Sequence, residues 1–254
     1  MTPEAFKRSI RDLQVWCSSC MVAFSGSDPI GVLIGAKRPS GTLIHRIAVH
    51  PDHRRQGHGR HLLTSLSSKL AILGPPRLVA EVPESLAPGC ELFDATGYVQ
   101  EAILTDYLLQ HEENQVPEPE RDGRFVIPVS IDDLAANGLL EEADQPMCWE
   151  RSVETLTARK NDISGLAVAT DERIEAYVLY AARVPTAEIV SFRTFVEDGG
   201  ARLRQLVAQL GVQGMRVFRF PKVHPSEISG ELVEALGFRP AGAHRLVAAR
   251  AQPA

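Results

Sequence analysis

The spacing of apolar residues along the chain predicts one order of elements that occurs twice: a hairpin, a strand, a helix and a strand. Helices are indicated by apolar residues three and four positions apart, and strands by short apolar runs. The first copy comprises a hairpin over 21–24 and 31–35, a strand over 43–49, a helix after Gly59 with Leu62, Leu63, Leu66, Leu70 and Leu73 on one face, and a strand over 78–82. The second comprises a strand over 124–130, a hairpin over 165–169 and 176–180, a strand over 188–194, a helix over 202–210 and a strand over 216–220.

A short motif near the end of each copy supports a duplication. The segment Glu91–Tyr98 returns as Glu231–Phe238, an offset of 140 residues (231 minus 91), with the acidic, Leu, Ala and Gly-aromatic positions kept. The acidic, proline-punctuated stretch between the copies lacks hydrophobic periodicity, which is typical of a linker. We therefore expect a domain over 1–113, a linker over 114–123 and a second domain over 124–254.

The first copy is predicted to be the shorter one. Thr2-Pro3 opens directly into an amphipathic helix with Phe6, Ile10, Leu13 and Trp16 on one face. The second copy instead begins with a strand.

The loop between the third strand and the helix of the first copy is the strongest functional signal. Arg54, Gly57 and Gly59 form the pattern R-x-x-G-x-G. Two glycines are expected to let the main chain bend so that successive amides point into one concavity, to which the helix N terminus adds its positive dipole. Arg55 and Arg60 add positive charge. The pattern lacks the Lys-Ser/Thr of a P-loop and the third glycine of a dinucleotide-binding turn, so a different pyrophosphate ligand is indicated.

These residues resemble the signature of the GNAT superfamily of N-acetyltransferases, in which V-x-P precedes R-x-x-G-x-G/A. Val49, Pro51, Arg54, Gly57 and Gly59 match it in register, and Glu91–Tyr98 is similar to the helix that ends in a Gly-aromatic pair. The resemblance implies two tandem domains of mixed α/β (α+β) fold, in each of which helices flank a mostly antiparallel central sheet. It implies acetyl-CoA as cofactor, with the pantetheine arm paired to the main chain of Ile47 and Val49. It also implies that the amides from Gln56 to Arg60 bind the pyrophosphate. The cofactor residues so implied are Ile47, Ala48, Val49, Arg54, Arg55, Gln56, Gly57, His58, Gly59 and Arg60.

The proton-transfer groups are less well marked. Many members of the superfamily carry a Tyr four residues before the Gly-aromatic pair, where this chain has Phe93 and Val233. Candidates for the general base are Glu81, near the end of the strand beside the cofactor strand, and His45, on the cofactor strand. Each has an alternative interpretation as an ordinary surface or packed side chain, and a water chain is a further alternative.

In the second copy the corresponding loop carries Glu197 and Asp198 and lacks R-x-x-G-x-G. Two carboxylates at the place of a pyrophosphate would repel it. The second domain is therefore predicted to be degenerate and not to bind acyl-CoA in the usual way.

Composition and charge argue against nucleic acid, membrane and metal as partners. The chain has 254 residues, 44% of them hydrophobic and 23% charged, with 27 basic and 32 acidic residues and a formal net charge of −5. Neither half is basic enough to indicate nucleic acid. No apolar run approaches the ~20 residues that span a bilayer, and the start lacks a signal peptide, so no membrane partner and a cytoplasmic location are expected. Five histidines between His45 and His61 lack a matching carboxylate or cysteine cluster, so no metal is expected.

The sequence thus predicts an acyltransferase that moves an acetyl group from acetyl-CoA to a primary amine of a small molecule or peptide, as a monomer or homodimer. The alternative is a catalytically weak acyl-CoA sensor or interaction protein, which the missing tyrosine in both copies favours.

Overall fold

The computed structural model describes residues 2–111, 125–140 and 147–253, and the predicted linker over 114–123 lies outside them. The chain forms two compact units that are not continuous in sequence. Unit 1 comprises Met1–Ile103 and His244–Ala254, and unit 2 comprises Leu104–Ala243. These bounds differ from the predicted division into 1–113 and 124–254, because the last strand of each copy passes into the other unit.

The elements of unit 1 follow the predicted order. They are α1 (Pro3–Leu13), β1 (Met21–Ser25), β2 (Asp28–Arg38), β3 (Gly41–Val49), α2 (His58–Leu73), β4 (Arg77–Pro83), α3 (Ala87–Asp94), the first residues of β5 (Val99–Gln110) and the last part of β11 (Arg239–Arg250).

Unit 2 repeats this order behind an opening strand and two short helices. Its elements are the rest of β5, β6 (Phe125–Pro128), α4 (Ile131–Ala136), α5 (Val153–Ala158), β7 (Ser164–Ala169), β8 (Ile174–Arg183), β9 (Thr186–Thr194), α6 (Ala201–Val212), β10 (Val217–Val223), α7 (Gly230–Ala235) and the first part of β11.

The strand orders are β1-β2-β3-β4-β11 in unit 1 and β5-β10-β9-β8-β7-β6 in unit 2. Neighbouring strands are antiparallel except for two parallel pairs, β3 with β4 and β9 with β10. The register shifts between Ile34 and Gly35 opposite β3, and again between Leu179 and Tyr180 opposite β9. The same irregularity at the same place supports the duplication, and the predicted fold class is confirmed.

Helix α2 holds the core of unit 1 together. Its residues Leu62, Leu63, Leu66 and Leu70 are buried against β2, β3 and β4, as their spacing predicts. Leu73, which the same spacing placed on the buried face, is 69% exposed, because the helix ends there and the chain turns away at Gly74. Trp16, predicted to lie on α1, follows the end of that helix and is also exposed.

Each unit is completed by a strand that comes from the other half of the sequence. In unit 1, residues 244–250 of β11 pair with β4, from His244 opposite Pro83 to Arg250 opposite Arg77, and Val247 is 1% exposed in the α2 core. In unit 2, residues 105–110 of β5 pair with β10, and Tyr107 belongs to the core around α6. Neither half of the sequence therefore contains a complete sheet.

Two kinds of feature, a membrane-spanning helix and a metal-binding cluster, are absent from the described residues. None of their helices combines the length and apolar character needed to cross a bilayer. No cluster of three or more His, Cys, Asp or Glu side chains suited to a metal ion was found among them.

The strand exchange makes a prediction about stability. Val247→Ala should lower the free energy of unfolding by about 2 kcal/mol, because it removes two buried methyl groups from the core of unit 1. In hydrogen exchange, the amides of α2 and β4 should lose protection first. Val99→Ala, at a position of unit 1 that is 68% exposed, is the matched control and should change little. Loss of protection confined to α6 and β10 would contradict the assignment of β11 residues to unit 1.

Candidate active site

Strands β3 and β4 part soon after they begin. Their parallel register comprises Thr42 opposite Leu78 and Leu43 opposite Val79, and among the described residues it ends there. Strand β3 runs on to Val49 beside β2. Among the described residues, no other strand pairs with the side of β3 that faces away from β2 beyond that register, which leaves main-chain groups near the end of β3 for another extended partner.

The residues that present these groups follow from the hydrogen-bond pattern. The amide of His50 donates to the carbonyl of Ile30 in β2 at 2.7 Å. Because donors alternate along an antiparallel strand, the main-chain groups of Ala48 also point to β2, whereas those of Ile47 and Val49 point to the open side. The Nε of Arg54 donates to the carbonyl of Val49 at 3.1 Å, as this alternation requires.

The loop after β3 is a tight turn that ends in left-handed backbone. A 3-10 turn over Pro51–His53 is closed by the amide of His53 on the carbonyl of His50 at 2.9 Å. Arg55 and Gly57 then have φ values of 59° and 86°. Left-handed residues within a turn can direct neighbouring amides towards one side, which is how anion-binding concavities form.

Helix α2 begins at this point, with Gly57 as its N-cap residue. The amide of His61 donates to the carbonyl of Gly57 at 2.9 Å, so the amides of His58, Gly59 and Arg60 precede the first helical hydrogen bond. They lie at the positive end of a helix of 16 residues. Arg54, Arg55 and Arg60 are all exposed around them.

The two glycines of the loop have different roles. A methyl group built on Gly57 would meet no atom within 4 Å, so the space beside it is open. The turn over residues 54–60, with this space, is called the Gly57 corner below. A methyl group on Gly59 would approach Leu92 Cδ2 to 3.2 Å, so Gly59 serves the packing of α2 on α3. Only Gly57 has a positive φ, and the expectation that both glycines bend the main chain is wrong for Gly59.

The two candidate bases lie on the strands that flank the opening. Leu78, Ala80 and Val82 of β4 pack on α2, so Glu81, which alternates with them, lies on the opposite face of the sheet. His45 lies at the register shift of β3, since Ile34 is opposite Arg46 and Gly35 is opposite Ile44. Such bulges re-aim side chains near functional sites. Both residues are half-buried.

The place of the expected tyrosine is filled by a core residue. Phe93 is 3% exposed, and its ring packs edge to face on Tyr98 with centroids 5.0 Å apart. Burial raises the pKa of the Tyr98 hydroxyl, which makes it a weaker acid than an exposed tyrosine.

In unit 2 the equivalent corner is occupied by a carboxylate of the protein itself. Helix α6 begins at Gly200, with φ 81°, just as α2 begins at Gly57. The two carboxylate oxygens of Asp198 accept hydrogen bonds from the amides of Gly200 and Arg202, each at 2.9 Å. The guanidinium of Arg202 also donates to Asp198 and to Glu175, each at 3.0 Å. The sequence predicted that carboxylates here repel an anion, and the structure shows that one of them takes the anion's place.

The opening between β9 and β10 is also filled from within unit 2. The register of these strands ends at Arg219 opposite Glu188. Beyond it, the buried guanidinium of Arg151 donates to the carbonyls of Pro221 and Lys222 and pairs with Glu227 at 2.9 Å. No sequence pattern predicts this contact, because a single Arg in a loop resembles any surface cation.

The fold that places a helix N terminus at the mouth of a parted parallel strand pair is the GNAT fold, as solved structures show. Residues 2–98 match the acetyltransferase (GNAT) family. The chain as a whole has the tandem GNAT fold. The resemblance predicted from the sequence is confirmed.

Relatives agree with this assignment. The [ribosomal protein bS18]-alanine N-acetyltransferase of Escherichia coli (strain K12) is 32% identical over 93 residues, which are 35% of this chain and 56% of the relative. The chain thus spans about half the length of the curated relative it matches.

Solved structures show the fold over nearly the whole chain. A tandem GNAT protein from the clavulanic acid biosynthesis pathway superposes with a TM-score of 0.69 at 18% identity, over 97% of this chain and 88% of that one. A GCN5-related N-acetyltransferase from Sphaerobacter thermophilus gives 0.66 at 15% identity, over 92% and 81%.

The occupied corner of unit 2 makes a prediction about pH. Burial raises the pKa of Asp198, but the hydrogen bonds from Arg202 and Gly200 outweigh it and leave this pKa below its usual value. Its contribution to stability is therefore present above the unfolded-state pKa and is lost as pH falls through the folded-state pKa. Asp198→Ala should lower the free energy of unfolding by about 1–2 kcal/mol at pH 7. In urea titrations, the difference in free energy of unfolding between this variant and the unchanged protein should become smaller as the pH falls.

Glu197→Ala is the control for Asp198→Ala, since Glu197 is the exposed neighbour. It should leave the free energy of unfolding nearly unchanged. A gap between the Asp198 variant and the unchanged protein that widened in acid would contradict the assignment.

Proposed function

We propose that the chain is an acetyl-CoA-dependent N-acetyltransferase whose unit 1 transfers the acetyl group to a primary amine of a small molecule or peptide. The observation that carries this proposal is the open side of β3, which leads directly to the Gly57 corner. An extended amide-bearing chain fits the open side of β3, and an anionic group fits the Gly57 corner. Acetyl-CoA joins a pantetheine arm to a pyrophosphate in that order.

The residues present suit such a ligand. Ile47 and the amide of Val49 present main-chain groups at the opening, the carbonyl of Val49 being bound by Arg54, and Ala48 between them holds the strand to β2. At the corner, Gln56, Gly57, His58, Gly59 and Arg60 supply amides, with Gly57 leaving room for phosphate oxygens. Arg54, Arg55 and Arg60 supply charge. Main-chain donors at a helix N terminus together with exposed arginines are a usual phosphate site.

The chemistry requires a neutral amine, a positioned thioester and a proton for the leaving thiolate. Glu81 is the proposed base, since its carboxylate lies on β4 beside the opening, and His45 is the second candidate from the opposite strand. With Phe93 in place of a tyrosine, water is the proposed proton source for the thiolate. A thiolate with a pKa near ~8.5 leaves without strong acid catalysis.

The acceptor is proposed at the level of chemical class. The E. coli relative is named for acetylation of an alanine of a ribosomal protein, which supports an amine, including that of a peptide. A second candidate function, an acyl-CoA sensor with weak turnover, is favoured by Phe93 alone. Tight acetyl-CoA binding without CoA release on small amines, polyamines or peptide N termini would favour that second function.

A matched pair of glycine variants tests the cofactor site. Gly57→Glu should abolish acetyl-CoA binding in calorimetry, because it places a carboxylate at the corner. Gly199→Glu should leave binding unchanged. Both glycines have positive φ and open space around the built methyl group, so the two variants carry similar backbone strain.

Circular dichroism and thermal unfolding of both variants show whether the fold is kept. Loss of binding in the Gly199 variant with retention in the Gly57 variant would assign the cofactor to unit 2 and overturn the proposal. Absence of binding in the unchanged protein would overturn it as well.

A further inference from the structure

Strand β11 brings a histidine of the carboxy-terminal half into unit 1. His244 is opposite Pro83 of β4, and Leu246, two residues on, is opposite Glu81. In an antiparallel pair, such diagonal neighbours lie on one face with Cα atoms about 7–8 Å apart, within reach of long and aromatic side chains. The register thus makes His244 and Glu81 neighbours on the sheet.

The face they share is the one away from α2 and α3. Val247 and Ala249 of β11 pack in the α2 core, and Arg245 pairs with Asp94 of α3 at 2.9 Å. His244 alternates with these residues, as Glu81 alternates with Ala80 and Val82, and so both lie on the opposite face. The Gly57 corner belongs to α2 and therefore to the helix side. An amine that approaches from the other face of the opening meets Glu81 and His244.

The surroundings of His244 separate it from an ordinary surface histidine. The residue is half-buried, and its Nδ1 atom is shielded from solvent. Leu246 beside it on the same face is 4% exposed. A half-buried imidazole diagonally opposite a carboxylate can orient that carboxylate and accept its proton.

We infer that His244 is a positioning residue for Glu81 at the amine site of unit 1, supplied by the last strand of the chain. The inference rests on the proposed transferase function. Glu81 takes one proton from the acceptor ammonium and passes it through His244 to solvent. The neutral amine then forms the N–C bond to the acetyl carbonyl as the C–S bond breaks. The nitrogen loses a second proton and the thiolate gains one, so one proton is released per turnover.

The test compares Glu81→Gln, His244→Asn, His244→Gln and the Glu81→Gln/His244→Asn double variant. CoA release is followed with the best acceptor from an amine panel. Glu81→Gln should lower kcat by about 10² or more, and His244→Asn by at least about tenfold. The KM for acetyl-CoA should stay unchanged in all variants. The rising limb of the pH–rate profile of His244→Asn should move to higher pH, because solvent must then supply the neutral amine.

The double variant shows whether His244 acts through Glu81. It should be no slower than Glu81→Gln alone, since residues that act as one unit are not additive. Arg245→Gln is the matched control: it lies on the same strand but on the helix face, and it should keep both kcat and the pH profile. His244→Gln also keeps a polar side chain, and it provides a second test at this position if His244→Asn does not fold.

The outcomes separate the two proposals. An unchanged protein that releases CoA, together with His244 variants that keep its kcat and pH profile, overturns only the role of His244. Losses of kcat that are fully additive in the double variant also overturn only the role of His244. An unchanged protein that binds acetyl-CoA but acetylates no amine overturns the transferase function and, with it, the role of His244.

Discussion

The parting of β3 from β4 after two register pairs is the constraint on which the site depends. A strand inside a sheet normally has both sides paired, because unpaired main-chain groups are costly away from water. Here Ile47 and Val49 keep one side open while β2 holds the other. The rest of the site surrounds that opening: the Gly57 corner at its mouth, His45 at the bulge and Glu81 on the neighbouring strand.

In unit 2, side chains of the protein bind the main-chain groups that correspond to the open groups of unit 1. Asp198 binds the amides that precede α6, and Arg151 binds the carbonyls beyond the end of the β9–β10 register. Each group replaces a ligand contact with an internal hydrogen bond, and so keeps the fold while using up the donors and acceptors. The two units thus share an architecture and differ in whether its polar groups are available.

Local patterns predicted most of this fold, because they report on neighbours in sequence. The helix faces, the hairpins, the duplicated motif and the glycine corner all follow from spacing over a few residues. The strand exchange does not, since the spacing within each half cannot show that β5 pairs with β10 and β11 with β4. For the same reason the place of His244 beside Glu81 was not predicted. The role of Gly59 was missed because the pattern R-x-x-G-x-G cannot show that Leu92 packs against it.

The position of β11 also bears on how the molecule is made. Synthesis on the ribosome delivers the amino-terminal residues first, and domains usually fold in that order. Unit 1 cannot follow that rule to the end, since Val247 and its neighbours are translated only after the residues of unit 2. The edge of β4 stays uncovered until residues 104–243 have been made. The unit with the open corner therefore begins before unit 2 and is completed after it.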